Sequence, residues 1–103
     1  MDSKTRKSVQ RFATLIECKY DIEQLIVFGS RARGTNRGDS DYDLLVVSER
    51  LLDYDEVYRP VAGRGLRCDV VPCTVDTWRE AYLDAGGVLH DALEEGIVLY
   101  GQR

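Results

Sequence analysis

The chain has 103 residues, of which 44% are hydrophobic and 31% are charged, as in an ordinary soluble globular protein. This length predicts a single domain spanning residues 1–103. The net charge of −4 argues against charge-driven nucleic-acid binding, and no apolar run approaches the roughly 20 residues that span a bilayer, so we expect a cytoplasmic protein.

The N-terminal segment has the residue spacing of an amphipathic helix. Asp2 or Ser3 can cap a helix that runs to about Lys19, and its apolar residues are three or four positions apart. These residues are Val9, Phe12, Ala13 and Ile16. Two apolar runs, at 24–28 and 42–47, then predict buried strands.

The loop between these strands and the second half of the chain predict further short elements. A helical turn is expected at 31–35, where Gly34 and Gly38 punctuate the loop. The remaining predicted helices lie near 54–61, at 75–84 and at 88–95, and the remaining strands lie at 66–72 and 97–100. Helices and strands therefore alternate around one small sheet, which places the chain in the α/β or α+β class.

The three cysteines, Cys18, Cys68 and Cys73, predict reduced thiols. Their number is odd, and none of them forms a Cys-x-x-Cys pair. Cys68 and Cys73 are five residues apart on one predicted strand, so their side chains face opposite sides and cannot bridge. Free thiols are consistent with a reducing compartment.

Acidic residues stand at the starts of two predicted strands, close to a glycine-serine turn. Asp41 and Asp43 are two residues apart, so on extended backbone they share a face and repel each other unless a cation lies between them. Asp69 is the sole acid in an apolar strand, where charged residues are rarely buried unless they are paired or metal-bound. Gly29-Ser30 ends the first strand and offers a place for phosphate.

A calcium-binding EF-hand loop does not fit this stretch. Asp39, Asp41 and Asp43 match its positions 1, 3 and 5. The loop also requires glycine at position 6 and a bidentate glutamate at position 12, and these positions hold Leu44 and Arg50. The acids therefore need another explanation.

A P-loop does not fit either. Gly29 and Gly34 match the glycines of G-x-x-x-x-G-K-[ST], but Thr35 stands where the lysine should reach the β- and γ-phosphates. The remaining interpretation is a triphosphate cradled by backbone N–H groups of the turn and by the Ser30 hydroxyl, with Mg²⁺ held by acidic oxygens. Arg33 is the favoured additional phosphate contact, ahead of Arg31.

This constellation resembles the DNA polymerase β-like nucleotidyltransferases, and in particular their minimal branch, the MNT proteins. The family signature is Gly-Ser, ten residues and then Asp-x-Asp, which here is Gly29-Ser30, the ten residues 31–40, and Asp41-Tyr42-Asp43. Further matching segments are Gly29-Ser30-Arg31-Ala32-Arg33-Gly34, Asp69-Val70-Val71-Pro72 and Glu95-Gly96-Ile97-Val98-Leu99-Tyr100-Gly101.

The resemblance implies a nucleotidyltransferase fold, a small mixed sheet flanked by helices. It also implies that Gly29 and Ser30 contact the phosphates of ATP or another NTP, and that Asp41 and Asp43 bind Mg²⁺. Asp69 would complete the catalytic and metal-binding triad and accept a proton from the attacking hydroxyl, in an in-line displacement at phosphorus.

MNT proteins are typically paired with a helical HEPN toxin. The resemblance therefore implies an antitoxin that forms an oligomer with such a partner and transfers AMP from ATP to a tyrosine of it. Two alternatives stay open at this point. One is a binding module that neutralises the toxin by contact alone, and the other is a transferase for a small hydroxylated acceptor such as an aminoglycoside.

Overall fold

In a computed structural model of the chain, the described residues are 1–38, 40–59, 67–80 and 92–101. The elements, in chain order, are α1 (Ser3–Glu17), β1 (Gln24–Phe28), α2 (Ser30–Arg33), β2 (Tyr42–Ser48), α3 (Tyr54–Tyr58), β3 (Cys68–Thr74), α4 (Val75–Glu80) and β4 (Ile97–Tyr100). Residues 92–95 are also helical. Within these ranges, no helix has the length and apolar character that crossing a membrane requires.

Helix α1 begins where the sequence predicts. Asp2 is the N-cap, and its Oδ1 accepts a hydrogen bond of 2.7 Å from the backbone N–H of Thr5. An acidic cap satisfies one of the N–H groups that a helix start leaves without a partner. The buried stripe of α1 contains the four apolar residues expected from the sequence together with Thr5.

The four described strands form one mixed sheet in the order β3-β2-β1-β4. β1 pairs antiparallel with both β2 and β4, whereas β2 and β3 are parallel. A parallel pair needs a crossover connection, and α3 lies in the segment that makes it. This arrangement confirms the predicted fold class.

The sheet separates two apolar cores because successive residues of a strand point to opposite faces. One core joins the stripe of α1 and Val57 of α3 to Leu25, Leu44 and Val70 of the sheet. The other core covers the opposite face. Its buried members are Ile26, Phe28, Leu45, Val47, Cys73, Trp78 and Ala92. Both faces of the sheet are therefore covered, and the strands are continuous apolar runs.

The predicted elements agree with the observed ones within about two residues at most ends, as is usual for helix and strand limits. β3 starts and ends two residues later than expected, since its pairing with β2 continues to Ser48 and Thr74. The predictions that fall on 60–66, 81–84 and 88–91 lie outside the described residues.

The cysteines are free thiols, as expected. Cys68 packs in the core beneath α1 and Cys73 packs in the core beneath α4, so the two side chains do lie on opposite faces. Burial raises the pKa of each of these thiols to about 11. Thiolates are therefore scarce at neutral pH, which makes these two residues packing groups rather than nucleophiles.

Candidate active site

The chain turns sharply where β1 ends, and Gly29 makes this turn. Its φ of 75° and ψ of −157° lie in a region that only glycine enters readily. A Cβ at this position would overlap the Oδ2 of Asp43. Gly29 is thus required by its backbone conformation and by the carboxylate beside it.

Helix α2 is a single turn that follows Gly29 directly. The carbonyl of Gly29 accepts hydrogen bonds from the N–H groups of Ala32 and Arg33, each 3.1 Å long. Gly34 ends the helix in the left-handed conformation, and the N–H of Thr35 returns to the carbonyl of Ser30. Ser30 is therefore held at the start of a fixed turn next to the acids.

The parallel pairing of β2 and β3 places two of the predicted acids side by side. Asp43 is the register partner of Asp69 on one side and of Phe28 on the other. Asp69 is exposed and Asp43 is half-buried, at the end of the sheet face that α4 covers. Asp41 precedes β2 by one residue. The predicted triad is therefore gathered at one end of the sheet.

The electrostatics of this end of the sheet are dominated by negative charge. Burial raises the pKa of Asp43 above its usual value, and the charges of Asp69 and Asp41 raise it further. Arg33 opposes this effect, and Glu95 adds to it. A carboxylate whose ionised form is disfavoured by like charges is relieved by a bound cation.

The donor set is suitable for Mg²⁺, which prefers carboxylate oxygens and shares its coordination with phosphates and water. In the described part of the chain, however, no three acidic, histidine or cysteine side chains stand close enough together to hold a metal ion. Asp41 is instead paired with Arg67, with 3.1 Å between its Oδ1 and the Nε of the arginine. Both partners are exposed, and such a pair contributes only about 0–1 kcal/mol, so Asp41 can leave it at little cost.

Glu95 is a member of this site that the analysis of spacing and residue type did not identify. Its Oε1 accepts a hydrogen bond of 3.1 Å from the N–H of Gly29, across 66 positions of sequence. Its two carboxylate oxygens lie 2.9 and 2.8 Å from Nη1 of Arg33. The sequence offered one signal, since Glu95 begins the C-terminal segment that carries the family resemblance.

Arg31 does not face the site. It is 1% exposed, and its guanidinium binds Thr5 and two backbone carbonyls on the side of the sheet that α1 covers. The sequence made Arg31 the second candidate for a phosphate contact after Arg33, and its burial on the other side of the sheet contradicts this role. Arg33, the favoured candidate, does lie beside Gly29 and the acids. Asp39 lies outside the described residues.

Comparison with known proteins gives a family and a set of similar structures. The model of the nucleotidyltransferase domain family matches residues 5–99. A protein of Methanocaldococcus jannaschii named "Putative protein adenylyltransferase MJ0604" is 33% identical over 98 residues, which are 91% of this chain and 96% of the relative.

Two similar solved structures come from toxin–antitoxin complexes. One is a toxin–antitoxin with AMP-PNP, in which a chain aligns with a TM-score of 0.67 and 20% identity over 95% of this chain and 74% of its own length. The other contains a tri-AMPylated HEPN toxin of Shewanella oneidensis with an MNT antitoxin. There the TM-score is 0.60 and the identity 15%, over 99% of this chain and 74% of the other. At these identities the likeness establishes the fold.

Proposed function

Because this chain belongs to the nucleotidyltransferase domain family, we propose that it is a Mg²⁺-dependent protein adenylyltransferase that uses ATP. The observation that carries the proposal is the register of β2 and β3, which sets Asp43 against Asp69 beside the Gly29 turn. The M. jannaschii relative supports protein as the acceptor class, since its name specifies a protein adenylyltransferase.

Each residue of the site has a role in this proposal. Asp41, Asp43 and Asp69 would hold Mg²⁺, which when bound neutralises charge on the phosphates. Ser30 and Arg33 bind the phosphate oxygens, and the turn at Gly29 brings Ser30 close to the acids. Ion pairing and short hydrogen bonds of this kind orient a triphosphate for in-line attack.

The reaction is a displacement at the α-phosphorus of ATP. The acceptor oxygen forms a bond to this phosphorus while the bond to the bridging oxygen breaks, and pyrophosphate leaves with the electron pair. Asp69 accepts the proton of the acceptor hydroxyl, as its position next to Asp43 and its exposure to solvent allow. The product is an AMP phosphodiester on the acceptor.

We propose a tyrosine of a HEPN toxin as the acceptor, so that this chain acts as an antitoxin in the cytoplasm. One solved structure with the same fold contains a tri-AMPylated HEPN toxin with an MNT antitoxin. Large apolar side chains that are exposed here, among them Leu51, Tyr54 and Tyr100, offer contacts for a second protein. Residues 1–103 would form one minimal domain that obtains its acceptor from this partner.

The test uses the 103-residue chain, a HEPN protein encoded beside it, Mg²⁺ and ATP labelled at the α-phosphate. Wild-type protein should transfer the label to the HEPN protein, and Asp41→Asn or Asp43→Asn should reduce the transfer at least about 100-fold, since charge stabilisation at a reacting phosphate is worth several kcal/mol. Asp21→Asn is the matched control, because Asp21 is exposed before the opposite end of β1. Full transfer by both site variants would reject the mechanism.

The same variants separate the two alternatives. If the chain neutralises its partner by contact alone, the Asp41→Asn/Asp43→Asn double variant should still bind the HEPN protein and suppress its toxicity. If the acceptor is a small hydroxylated molecule, the wild-type chain should label it in the absence of any partner. Label on the HEPN protein alone, with toxicity restored in the double variant, is the outcome expected here.

A further inference from the structure

Glu95 connects two parts of the turn that begins at Gly29. Its carboxylate accepts the N–H of Gly29 and binds the Nη1 of Arg33 through both oxygens. Gly29 and Arg33 lie at the two ends of the turn formed by α2, and Glu95 reaches them from the segment that leads into β4. A single side chain thus fixes the turn at both ends.

The partial burial of Glu95 and the donors around its carboxylate indicate that its contact with the turn is stable. The Glu95 side chain is 23% exposed, against 48% for the side chain of Arg33, so Glu95 is the more buried partner of the pair. A partly buried carboxylate is stable where hydrogen-bond donors satisfy it, and hydrogen bonds to a charged group are stronger than those between neutral groups. Here one backbone N–H and one guanidinium supply these donors.

We propose that Glu95 is a positioning residue that holds the Gly29 turn and the Arg33 guanidinium ready for the phosphates of the nucleotide. This inference rests on the proposed function and deepens it. It also assigns the N–H of Gly29 to Glu95, so that Ser30 and Arg33 are the groups of the turn that bind phosphate.

The physical reason is preorganisation. A mobile arginine side chain loses rotamer entropy when it is fixed on a ligand, and this loss opposes binding. Both contacts with Glu95 use Nη1, so the guanidinium plane is anchored at one end before a nucleotide arrives. Removing Glu95 leaves more of the ordering of the guanidinium to nucleotide binding, which weakens binding without changing the chemical step.

The opposite role makes the opposite prediction. Glu95 is an anion beside groups that would bind phosphate, so it could compete with the nucleotide for Arg33. A competitor lowers affinity, and its removal would tighten ATP binding. A positioning residue raises affinity, and its removal would weaken ATP binding. The sign of the change therefore decides between the two.

The experiment measures the Kd of Mg-ATP by calorimetry and the KM and kcat of AMP transfer in Glu95→Ala, Glu95→Gln and wild type. Glu95→Ala should raise Kd and KM about 10-fold, which corresponds to about 1.4 kcal/mol, with kcat within about twofold. Glu95→Gln keeps an oxygen acceptor for Gly29 and Arg33 and should stay within about threefold of wild type in each constant. Glu49→Ala is the matched control, because Glu49 is exposed just beyond the far end of β2.

A second pair of variants tests whether Glu95 acts through Arg33. In an Arg33→Ala background, the fold increase in Kd caused by Glu95→Ala should be less than half of the increase that it causes in wild type. The reason is that the guanidinium that Glu95 orients is then absent. An undiminished effect, an unchanged Kd in Glu95→Ala, or tighter ATP binding would each overturn the proposal. Thermal unfolding of every variant shows whether the fold is retained. If Glu95→Ala unfolds, Mg-ATP binding by Glu95→Gln that is more than about threefold tighter than wild type would still overturn the proposal.

The two proposals can fail separately. Wild-type protein that binds Mg-ATP but transfers no AMP would reject the proposed function. The Kd values of the Glu95 variants would still test whether Glu95 positions the nucleotide-binding turn. Wild-type protein that binds no Mg-ATP would reject both.

Discussion

At the scale of single residues, Arg31 is a buried charged residue whose guanidinium is held by several hydrogen bonds. Its Nη1 donates to the hydroxyl of Thr5 at 2.8 Å, and its Nη2 donates to the carbonyls of Ser40 and Gly38 at 2.9 and 3.1 Å. The guanidinium also lies 4.2 Å from the ring centre of Tyr42. Arg31 thereby connects α1 to the loop that leads into Asp41, and so holds in place the segment from which Asp41 and β2 begin.

We expect Arg31→Met to destabilise the protein by at least about 2 kcal/mol, because it leaves a buried hydroxyl and two carbonyls without their donor. For a chain of this size such a loss lowers Tm by roughly 8–16 °C. Arg31→Lys should lie between this variant and wild type, since lysine keeps the charge but lacks the planar fork. Thermal unfolding followed by circular dichroism measures both.

Arg37→Met provides the control for this pair. Arg37 is exposed on the same loop, and its hydrogen bonds with Ser40 and Asn36 use only its backbone. The Tm of the Arg37→Met variant should stay within about 2 °C of that of wild type, as for most surface substitutions. An Arg31→Met variant as stable as this control would show that the buried contacts contribute nothing.

At the scale of elements, the turn from β1 into α2 is the segment whose backbone conformation shapes the site. The three glycines of this region differ in what their conformation demands. Gly29 has a positive φ and Asp43 beside it, Gly34 has a positive φ with open space, and Gly38 has open space alone. Alanine substitutions at these positions therefore separate backbone strain from side-chain overlap.

Gly29→Ala should be the most damaging of the three. Its backbone conformation is strained for any residue with a Cβ, by about 1–3 kcal/mol, and the added methyl group must displace the Asp43 carboxylate. Gly34→Ala should lose about 1 kcal/mol from strain alone, and Gly38→Ala should be close to neutral. Urea unfolding measures this order, and AMP transfer should fall most in Gly29→Ala. Equal midpoints for Gly29→Ala and Gly38→Ala would contradict the geometry.

At the scale of the whole molecule, the fold is a sheet covered on both faces, with Asp41, Asp43 and Asp69 together at one end. The raised pKa of Asp43 means that this carboxyl binds its proton more tightly in the folded chain than in the unfolded chain. The contribution of Asp43 to stability is therefore present at acid pH and is lost as the pH rises through the raised value. At neutral pH the ionised group weakens the metal-free protein, as is common for groups retained for function.

This linkage predicts opposite effects of one substitution with and without metal. Without Mg²⁺ at pH 7, Asp43→Asn should raise Tm by about 2–5 °C, because an amide carries no charge at this site. With Mg²⁺ at 100 times its Kd, wild-type protein should gain about 2.7 kcal/mol of stability, and the variant should gain much less.

Scanning calorimetry with Mg²⁺ and with EDTA measures both effects. Asp21→Asn serves as the control, and its Tm should respond to Mg²⁺ as that of wild type does. A wild-type Tm that Mg²⁺ leaves unchanged, even with ATP present, would contradict the assignment of these carboxylates as metal ligands.

The sequence by itself determined the local structure and most of the residues of the site, although not Glu95. The spacing of Val9, Phe12 and Ile16 predicted the buried face of α1, and the apolar runs predicted the strands, since local periodicity reflects which face of an element is buried. The sequence also predicted the Gly29-Ser30 turn and the three aspartates of the site, because residue type and short spacing are enough to indicate their chemistry.

The family resemblance implied that Asp69 joins Asp41 and Asp43, but only the tertiary structure decided the contacts through which distant groups meet. The parallel register that pairs Asp43 with Asp69, the contact of Glu95 with Gly29, and the burial of Arg31 beneath α1 each join segments far apart in the chain. The pattern of one segment contains no information about the partner against which it packs. These contacts depend on strand order and on the packing of helices over both faces, and they make a glycine turn and three carboxylates into one site.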